Sequence, residues 1–362
     1  MSRPFLELRG VSKRFGRTRA LRDVDLDVAP GELLVVLGPT GAGKTTLLRT
    51  IAGLEAPDQG VVRMDGSDVT ALPPAQRDVA LVFQNFSLYP GWNVRRNLEF
   101  PLRAPGRRLA PADIDRRVRR AAELLQIEAL LGREARLLSG GEMQCVAIGC
   151  AIVCEPRLFL MDEPLSNLDA KLREALRVEL ARLARELWTP MVYVTHDQAE
   201  ALSMADRVAV LSEGVVQQCG APREVYSRPA SPLVARQLGQ PPINLIRALS
   251  DGSAWRAHDG TLLVRAQAAS GARALLGIRP EHVEPQGGET PARVEVVEDT
   301  GPARILLARW AGQAVHILTR RSLDVGPGDE IRPRVDEQRA VVWSERDAGS
   351  AGALSSDPSR LD

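Results

Sequence analysis

The feature that most constrains this chain is a glycine-rich loop that directly follows a short apolar run. Residues 33–37 are all leucine or valine, which is typical of a buried parallel strand, and residues 45–52 continue with helical periodicity. Between them, Gly38 to Thr45 match the pattern G-x-x-x-x-G-K-[ST]. Glycines let successive backbone N–H groups turn toward phosphate oxygens, and the start of a helix adds partial positive charge. The sequence therefore predicts a phosphate-binding loop for a nucleoside triphosphate.

Two side chains of this loop carry specific chemistry. Lys44 is expected to place its ammonium group on the β- and γ-phosphates, and Thr45 to offer its hydroxyl group to Mg²⁺. A plain glycine-rich turn between strand and helix is the alternative, and the motifs further along the chain argue against it. The predicted nucleotide-binding residues of the loop are Gly38, Pro39, Thr40, Gly41, Ala42, Gly43, Lys44, Thr45 and Thr46.

Composition limits the class of protein. The 362 residues are 44% hydrophobic and 26% charged, which is ordinary for a soluble globular protein of two or three domains. A formal net charge of +1 argues against general attraction to nucleic acid or acidic lipid. No apolar stretch is long enough for a signal peptide or a membrane helix, so we expect a cytoplasmic chain. The cysteines at 145, 150, 154 and 219 are interpreted as small buried thiols rather than as metal ligands.

The chain changes character near residue 238. Before it, apolar runs alternate with helical patterns, which predicts an α/β domain with a mostly parallel sheet and an antiparallel flank. After it, short strand-like runs alternate with Gly/Pro turns, which predicts a small β-barrel or sandwich. The predicted divisions are a catalytic domain at 1–238, a β domain at 239–346 and a disordered tail at 347–362.

Two adjacent carboxylates end an apolar run at residues 158–161. Asp162 is placed to hold Mg²⁺, directly or through water. Glu163 can polarise a water molecule for in-line attack on the γ-phosphate. A strand-ending turn is the alternative for this pair, but a phosphate-binding loop upstream favours the catalytic interpretation.

A second phosphate-binding device lies at residues 138–144. Ser139 can cap the helix that follows, while Gly140 and Gly141 expose backbone donors at the start of that helix. A single nucleotide needs only one phosphate-binding loop. The second device therefore predicts that this segment serves the nucleotide of another chain, the alternative being an ordinary capped helix start.

The order of these motifs resembles that of the ATPase subunit of an ABC transporter. The resemblance covers roughly residues 5–238 and implies a head-to-tail homodimer with two bound ATP molecules. Each ATP would lie between the phosphate loop of one subunit and residues 139–144 of the other, where the implied nucleotide-binding residues are Ser139, Gly140, Gly141 and Glu142. The motifs that carry the resemblance are the loop at 38–45, Gln84, residues 138–144, Asp162 with Glu163, residues 166–169 and residues 195–197.

The resemblance also implies individual roles. Phe15 matches the aromatic residue that stacks on adenine, although a core aromatic in an edge strand is its alternative. Gln84 matches the residue that senses Mg²⁺ and the attacking water, and His196 the one that contacts the γ-phosphate. Asp169 matches the residue that communicates across the dimer. The implied catalytic set is Lys44, Gln84, Glu163 and His196, and the implied metal set is Thr45, Gln84 and Asp162.

The implied architecture is an ABC-type P-loop domain with a helical subdomain, followed by an OB-like β-barrel that receives regulators. Residues 276–283 resemble the signature of this β domain in sugar and glycerol-3-phosphate importers. Polyamine, iron or other anion importers, and soluble ABC-type ATPases, remain alternatives. An anion-sensing pocket with Arg279 and His282 is a further alternative for the β domain.

The resemblance implies partners at a membrane. Two integral-membrane permease subunits would dock near residues 85–100. An extracytoplasmic solute-binding protein would act indirectly, and we expect no nucleic-acid partner. The chain would then lie peripherally on the cytoplasmic face of the inner membrane.

The chain also departs from this family near the second phosphate device. Cys145 and Cys150 stand where the family usually has arginine, and Glu142 replaces the commoner glutamine. We expect a working but slower ATPase, with tolerated structural changes as the alternative.

Overall fold

The computed structural model describes residues 3–104, 107, 109–320 and 323–344. The chain divides into two compact units, Met1–Pro222 and Arg223–Asp362. This division falls earlier than residue 238 because the segment before that residue makes contacts with the rest of the second unit. The predicted tail at 347–362 lies outside the described residues.

The first unit alternates strands and helices. Its elements are β1 (Leu6–Phe15), β2 (Thr18–Val28), β3 (Leu33–Leu37), α1 (Lys44–Ala52), β4 (Gln59–Met64), β5 (Ser67–Asp68), α2 (Pro74–Arg77), β6 (Val79–Val82), α3 (Val94–Glu99), α4 (Pro111–Leu124), α5 (Gly140–Ile152), β7 (Leu158–Asp162), α6 (Ala170–Leu187), β8 (Met191–Thr195), α7 (Gln198–Met204), β9 (Arg207–Ser212) and β10 (Val215–Gly220).

The central sheet of this unit is mostly parallel, as the apolar runs predict. Its strand order is β10-β9-β3-β8-β7-β6, and only the β9–β10 pair is antiparallel. Every residue of β3, β7 and β8 is buried, which explains why these strands read as continuous apolar runs rather than alternating ones. The α/β class predicted from the sequence is confirmed.

A second, antiparallel sheet flanks the first, with the order β2-β1-β4-β5. Along β1, Leu6 and Leu8 are buried while the residue between them is less so, the alternation of a sheet with one covered face. Leu6 and Leu8 share one core with Leu47 of α1 and Leu34 of β3. Burial of this shared core holds α1, and with it the phosphate loop, against both sheets.

Four elements of the first unit were not predicted, namely β5, α2, α3 and β10. Helix α3 has only six residues, too few for a periodic pattern, and it begins where the Asn93 side chain accepts a hydrogen bond from the Arg96 backbone N–H. Strand β10 is only partly buried, so it lacks the apolar run that reveals the central strands.

The second unit is rich in strands. Its elements are α8 (Pro222–Ser227), α9 (Pro232–Arg236), β11 (Asn244–Ser250), β12 (Trp255–Arg256), β13 (Leu262–Val264), β14 (Arg273–Ile278), β15 (Val283–Glu284), β16 (Ala292–Asp299), β17 (Ala303–Trp310), β18 (Gln313–Arg320), β19 (Glu330–Ile331), β20 (Arg334–Val335) and β21 (Val341–Ser344).

All strand pairs of the second unit are antiparallel. They form sheets with the orders β13-β12-β11-β14-β21, β18-β17-β16-β19 and β15-β20. One core joins residues of the two larger sheets, among them Leu276, Ile317 and Trp310. The sequence analysis missed β11, where buried and less buried residues alternate after the Gly/Pro junction. The predicted small β domain is confirmed as a strand-rich, barrel-like unit.

A buried arginine ties the helical start of this unit to its sheets. Arg279 is 3% exposed. Its Nη1 donates to the Ala235 carbonyl oxygen at 3.1 Å, and its Nη2 donates to the Tyr226 carbonyl oxygen at 2.9 Å. The guanidinium group also lies over the Tyr226 ring. These contacts occupy both terminal nitrogens of the Arg279 guanidinium group, whereas its Nε has no hydrogen-bond partner among the described residues. An anion-sensing role of Arg279 therefore stays an untested alternative.

Candidate nucleotide site

Three parallel strands end at one edge of the central sheet, and the predicted site residues follow them. Leu37, the last residue of β3, pairs with Thr195 at the end of β8, and Asp162 at the end of β7 pairs with Val194. Ligands of open α/β sheets bind at this carboxyl edge. The register therefore places the phosphate loop, the two carboxylates and His196 side by side.

The loop turns sharply into α1. Gly43 precedes the helix with φ 105°, a conformation that side chains rarely adopt, and a Cβ there would collide with the Ala20 carbonyl oxygen. The next residue, Lys44, begins the helix and is 5% exposed. Glycine at position 43 is thus required both by the backbone angle and by the close approach of β2.

The ammonium group of Lys44 lies across its own loop. Its Nζ donates to the carbonyl oxygens of Gly38 at 2.8 Å and Pro39 at 3.1 Å. Its Nζ also lies 3.1 Å from Glu163 Oε1. This arrangement brings together the two residues that the sequence assigns to phosphate binding and to water activation.

Thr45 and Asp162 form a pair of oxygen donors suited to a hard cation. Thr45 Oγ1 donates to Asp162 Oδ1 at 3.2 Å, and Asp162 is 8% exposed. Burial raises the pKa of Asp162, the Thr45 hydroxyl lowers it, and neighbouring Glu163 raises it again. Hydroxyl and carboxylate oxygens are ligands that Mg²⁺ prefers, so these two residues fit a magnesium ion.

Glu163 is held between two groups. Its Oε2 lies 2.9 Å from His196 Nδ1, while Oε1 faces Lys44. Its backbone has φ 45°, the left-handed region that a residue with a side chain seldom occupies. The turn directly after β7 thereby directs this carboxylate toward the loop and toward the residue that follows β8.

Gln84 lies next to this cluster through the segment that follows Glu163. Its Nε2 donates to Ser166 Oγ at 3.3 Å, and Asn167 Nδ2 donates to the Gln84 carbonyl oxygen at 3.2 Å. Ser166 Oγ in turn donates to the Glu163 carbonyl oxygen. The side-chain partner of Gln84 here is thus Ser166, and its role at Mg²⁺ and the attacking water stays a prediction.

The second phosphate device is a fully formed helix cap. Ser139 Oγ accepts from the Glu142 backbone N–H at 3.4 Å, and Glu142 Oε2 accepts from the Ser139 backbone N–H at 2.7 Å. The Ser139 N–H group is the main cause that lowers the pKa of Glu142. Arg133 Nη1 lies 3.5 Å from Glu142 Oε1. The helix start is therefore capped by reciprocal hydrogen bonds, and Arg133, which precedes the helix, lies beside the negative charge of Glu142.

Phe15 ends β1 with 45% of its surface exposed, and Lys13 Nζ lies 5.3 Å from its ring centroid. This exposure contradicts the alternative of a core aromatic and leaves a ring face open for stacking. Contacts join Lys44, Thr45, Asp162, Glu163 and His196 into one cluster. Phe15, Ser139 and Glu142 have other partners, and their roles toward a nucleotide stay predictions.

The cysteines of α5 are inert in character. Burial raises the pKa of Cys145 to about 11 and that of Cys150 to about 12. Within the described part of the chain, no group of His, Cys, Asp and Glu could hold a metal ion as a cluster of three or more. Cys145 and Cys150 are partly exposed rather than fully buried, and their interpretation as small structural thiols stays a prediction.

An aromatic cluster lies in the segment after Gln84. The Tyr89 and Trp92 rings stack with centroids 4.2 Å apart, and Phe100 meets Tyr89 edge-on at 4.9 Å. Arg96 covers Trp92 at 4.1 Å. A cleft of about 510 Å³ is lined by Trp92, Phe100 and Arg96 among others. Tyr89, Trp92 and Phe100 all fall within residues 85–100, the predicted docking segment, and their contacts with one another were not predicted.

Within the described ranges, no helix combines the length and the apolar character needed to cross a membrane.

Comparisons with known proteins agree with this geometry. The family model described as ABC transporter matches residues 21–166. The sn-glycerol-3-phosphate import ATP-binding protein UgpC of Burkholderia pseudomallei (strain K96243) is 46% identical, covering 86% of this chain and 89% of that protein. The protein of the same name from Bordetella pertussis (strain Tohama I) is 41% identical, covering 95% of this chain and 98% of that one.

Solved structures show the same fold for the first unit. The cbiO1 protein of Clostridium perfringens, part of the ABC transporter complex cbiONQ, matches with a TM-score of 0.58 and 26% identity, covering 63% of this chain and 92% of that chain. The ATP-binding cassette MJ0796, a dimeric post-hydrolysis structure bound to ADP and Pi, matches with a TM-score of 0.54 and 30% identity, covering 60% of this chain and 99% of that chain. This chain belongs to the ABC transporter family as an ATP-binding subunit, an ATPase that couples hydrolysis to transport.

Proposed function

We propose that this ATPase powers the import of a glycerol-3-phosphate-like or carbohydrate solute. The support is the shared name of relatives that are 46% and 41% identical over most of the chain. The residues that contact the solute lie in other subunits of such a complex. If the uptake test fails, the remaining candidate solutes are another anion, a polyamine or iron.

We propose further that two copies of this chain share each ATP site. The observation that carries this is the capped start of α5, a phosphate-binding device built apart from the loop that holds Lys44. Dimerisation of the related cassette MJ0796 supports a homodimer. In this arrangement Ser139, Gly140, Gly141 and Glu142 meet the nucleotide held by the partner's loop.

The chemistry then follows from the cluster at the carboxyl edge of the sheet. Lys44 leaves the loop carbonyl oxygens to bind the β- and γ-phosphates. Glu163 accepts a proton from water as that water attacks the γ-phosphorus, the bond to the bridging oxygen of ADP breaks, and phosphate is released. His196, 2.9 Å from Glu163, orients that carboxylate. Thr45 and Asp162 would hold Mg²⁺, which when bound neutralises charge on the phosphate oxygens.

Coupling to the membrane is assigned to residues 85–100. The cleft there is lined by Trp92 and Phe100 together with charged side chains, three of them arginines. Aromatic and arginine side chains are enriched at interfaces, which supports docking of a partner at this cleft. Two permease subunits would dock there, which would place this chain peripherally on the cytoplasmic face of the inner membrane. An extracytoplasmic solute-binding protein would act through the permeases, and no nucleic acid is involved.

A mixing experiment tests the shared site. Lys44→Ala removes the phosphate lysine, and Gly140→Asp places a carboxylate on the second device, where the nearest atom to the new Cβ is 3.8 Å away. Gly141 is avoided because a Cβ there would collide with Leu172. Each variant alone should be inactive, whereas mixed dimers carry both defects in one site and keep the other intact. Partial return of ATPase activity on mixing supports the shared site. If folded mixed dimers form but show no ATPase activity, the shared site is rejected.

The solute is tested by uptake. Cells lacking this chain should lose uptake of labelled sn-glycerol-3-phosphate and regain it with the native chain, but not with Glu163→Gln. Unchanged uptake in the deleted cells would reject this solute.

A further inference from the structure

Helix α6 carries an arginine that lies outside the proposed catalytic cluster. Arg173 Nε donates to the Leu165 carbonyl oxygen at 3.3 Å. Its Nη2 donates to the carbonyl oxygens of Leu168 at 2.9 Å and Ser166 at 3.4 Å. A planar guanidinium group carries five donors in a fixed fork, so one side chain can bind several main-chain acceptors at once. Arg173 therefore holds the segment that links Glu163 to α6.

The same guanidinium group faces the loop after β8. Arg173 Nη1 lies 3.9 Å from Asp197 Oδ2, and Asp197 directly follows His196 in the sequence. Asp197 also caps α7, because its Oδ1 accepts from the Ala199 backbone N–H at 2.7 Å. Arg173 is thus paired with a residue that is adjacent to His196 and fixed by the start of α7.

A buried carboxyl group on α7 lies in the same electrostatic surroundings. Glu200 is 3% exposed, and its Oε2 accepts from the Tyr193 hydroxyl group at 2.9 Å. Burial raises the pKa of Glu200, while the Thr195 hydroxyl group and the positive charge of Arg173 lower it. Removal of the guanidinium group would therefore leave the carboxyl groups of Glu200 and Asp197 without this compensation.

The two segments that Arg173 contacts are the ones that carry the pair of Glu163 and His196. Glu163 begins the first segment, and Ser166 Oγ donates to its carbonyl oxygen at 2.9 Å. His196 lies in the second segment, with its Nδ1 2.9 Å from Glu163 Oε2. Because these two residues follow different strands, the distance between them depends on how the two segments are held relative to each other.

We propose that Arg173 is a positioning residue, whose guanidinium group joins the segment after Glu163 to the segment that carries His196 and keeps these two side chains at hydrogen-bond distance during hydrolysis. A misplacement of about 1 Å at a reacting group can cost about 10²-fold in rate. Arg173 therefore acts on the chemical step and not on ATP affinity, which the phosphate loop supplies. This inference rests on the proposed roles of Glu163 and His196.

The test is Arg173→Met in the full chain, because methionine keeps the apolar part of the side chain and removes every donor. The kcat for ATP hydrolysis should fall about 10- to 100-fold, while the KM for ATP should change less than about twofold. Both constants are measured below the Tm of the variant, so that unfolding does not contribute. Arg177→Met is the matched control, since the Arg177 side chain lies one turn further along α6, is 23% exposed against 35% for Arg173, and should be replaceable with native kcat.

A double-mutant cycle with Asp197→Asn tests the link itself. Asparagine keeps an oxygen that can accept from the Ala199 N–H group but removes the charge that faces Arg173. Asp197→Asn should lower kcat about two- to fivefold, the range of a partly exposed ion pair. The double variant should lose no more than Arg173→Met alone, because both changes break the same link. If Arg173→Met does not fold, Arg173→Lys replaces it and should also lower kcat at unchanged KM, because one ammonium group cannot reach both segments.

Three results would overturn the inference. Native kcat in a folded Arg173→Met would show that the pair of Glu163 and His196 keeps its distance without the guanidinium group. A raised KM with native kcat would place Arg173 in nucleotide binding. Additive losses in the double variant would show that Arg173 and Asp197 act independently.

Failure of the proposed chemistry has a different signature. Native kcat in Glu163→Gln would reject the proposed role of Glu163, and this inference with it. An inactive Glu163→Gln beside a fully active Arg173→Met would reject the inference alone.

Discussion

Lys44 Nζ lies 3.1 Å from Glu163 Oε1, so the phosphate-binding lysine and the carboxylate assigned to water activation form an ion pair. The other oxygen of that carboxylate lies 2.9 Å from His196 Nδ1. In the proposed site Lys44 turns toward the phosphates when ATP binds, so we expect ATP to compete with this ion pair. We expect this competition to free one oxygen of Glu163 for the attacking water.

The first prediction concerns this carboxylate. Glu163→Gln should retain ATP binding but lose about 10²- to 10⁴-fold in turnover, because the amide cannot accept the proton from water. Affinity for ATP should hold or increase, since Lys44 loses a charged competitor. Single-turnover hydrolysis and equilibrium binding measure the two effects separately. Glu174→Gln, a change at a carboxylate with 74% exposure, serves as the control. Near-native turnover in Glu163→Gln would remove Glu163 from the mechanism.

The second prediction concerns the negative charge at the start of α5. Glu142→Gln keeps an oxygen that can accept from the Ser139 N–H but removes a charge beside the proposed position of the partner's triphosphate. The KM for ATP should fall about two- to fivefold, the range expected for one charge at a helix terminus.

Arg133→Gln provides the opposite change, because Arg133 lies 3.5 Å from Glu142 Oε1 and offsets its charge. Steady-state kinetics at low and high salt should show the two variants moving KM in opposite directions, less so at high salt. If both variants shifted the KM for ATP in the same direction, the charge of Glu142 would not act on the nucleotide.

The third prediction concerns the aromatic cluster. Trp92→Glu should weaken assembly with the permeases and reduce solute uptake, because a carboxylate disrupts the stack with Tyr89 and the aromatic part of the cleft lining. ATPase activity of the isolated chain should stay near native. Leu54→Glu, a change at a residue 49% exposed outside this cluster, is the matched control. Normal co-purification of the permeases with Trp92→Glu would place the docking surface elsewhere.

The fourth prediction concerns the second unit. A chain truncated after Pro222 should bind ATP with similar affinity, because the first unit has a core of its own. It should sediment as a monomer once ATP is removed, while the full chain stays dimeric, since ATP links the catalytic units only while bound. Analytical ultracentrifugation distinguishes these states. Equal dimerisation of both chains without nucleotide would show that the second unit does not hold the dimer together.

The fifth prediction concerns the thiols of α5. A pKa raised from 9.0 to about 11 at Cys145 leaves about a hundredfold less thiolate at neutral pH than an ordinary thiol would have. Cys150, with a pKa of about 12, should be slower still. Labelling with iodoacetamide, followed by mass spectrometry, should be slow in the native chain and fast after unfolding. Rapid native labelling of Cys145 would show an open, reactive site.

Much of the nucleotide site could be predicted because its signals are local. The loop at 38–45 needs glycines, a lysine and a threonine at set spacings, and the strands before it and before Asp162 are buried on both faces. Consecutive residues meet these requirements, so they can be recognised in the sequence. For the same reason the strands β3 and β8 begin and end as the apolar runs predict.

Other features depend on which distant residues meet, and only the tertiary structure decided them. Phe100 contacts Tyr89 because the short helix α3 brings the chain back toward that residue. Gln84 contacts Ser166, which lies 82 residues later in the sequence. The ion pairs of Lys44 with Glu163 and of Arg173 with Asp197 likewise have no local signature. Sequence by itself determined the phosphate loop, the order of the motifs and the α/β alternation, because backbone angles and burial periodicity act over a few residues. Packing between elements decided which charges neutralise each other and which polar groups stay unpaired, because those outcomes depend on side chains brought together from far apart in the chain.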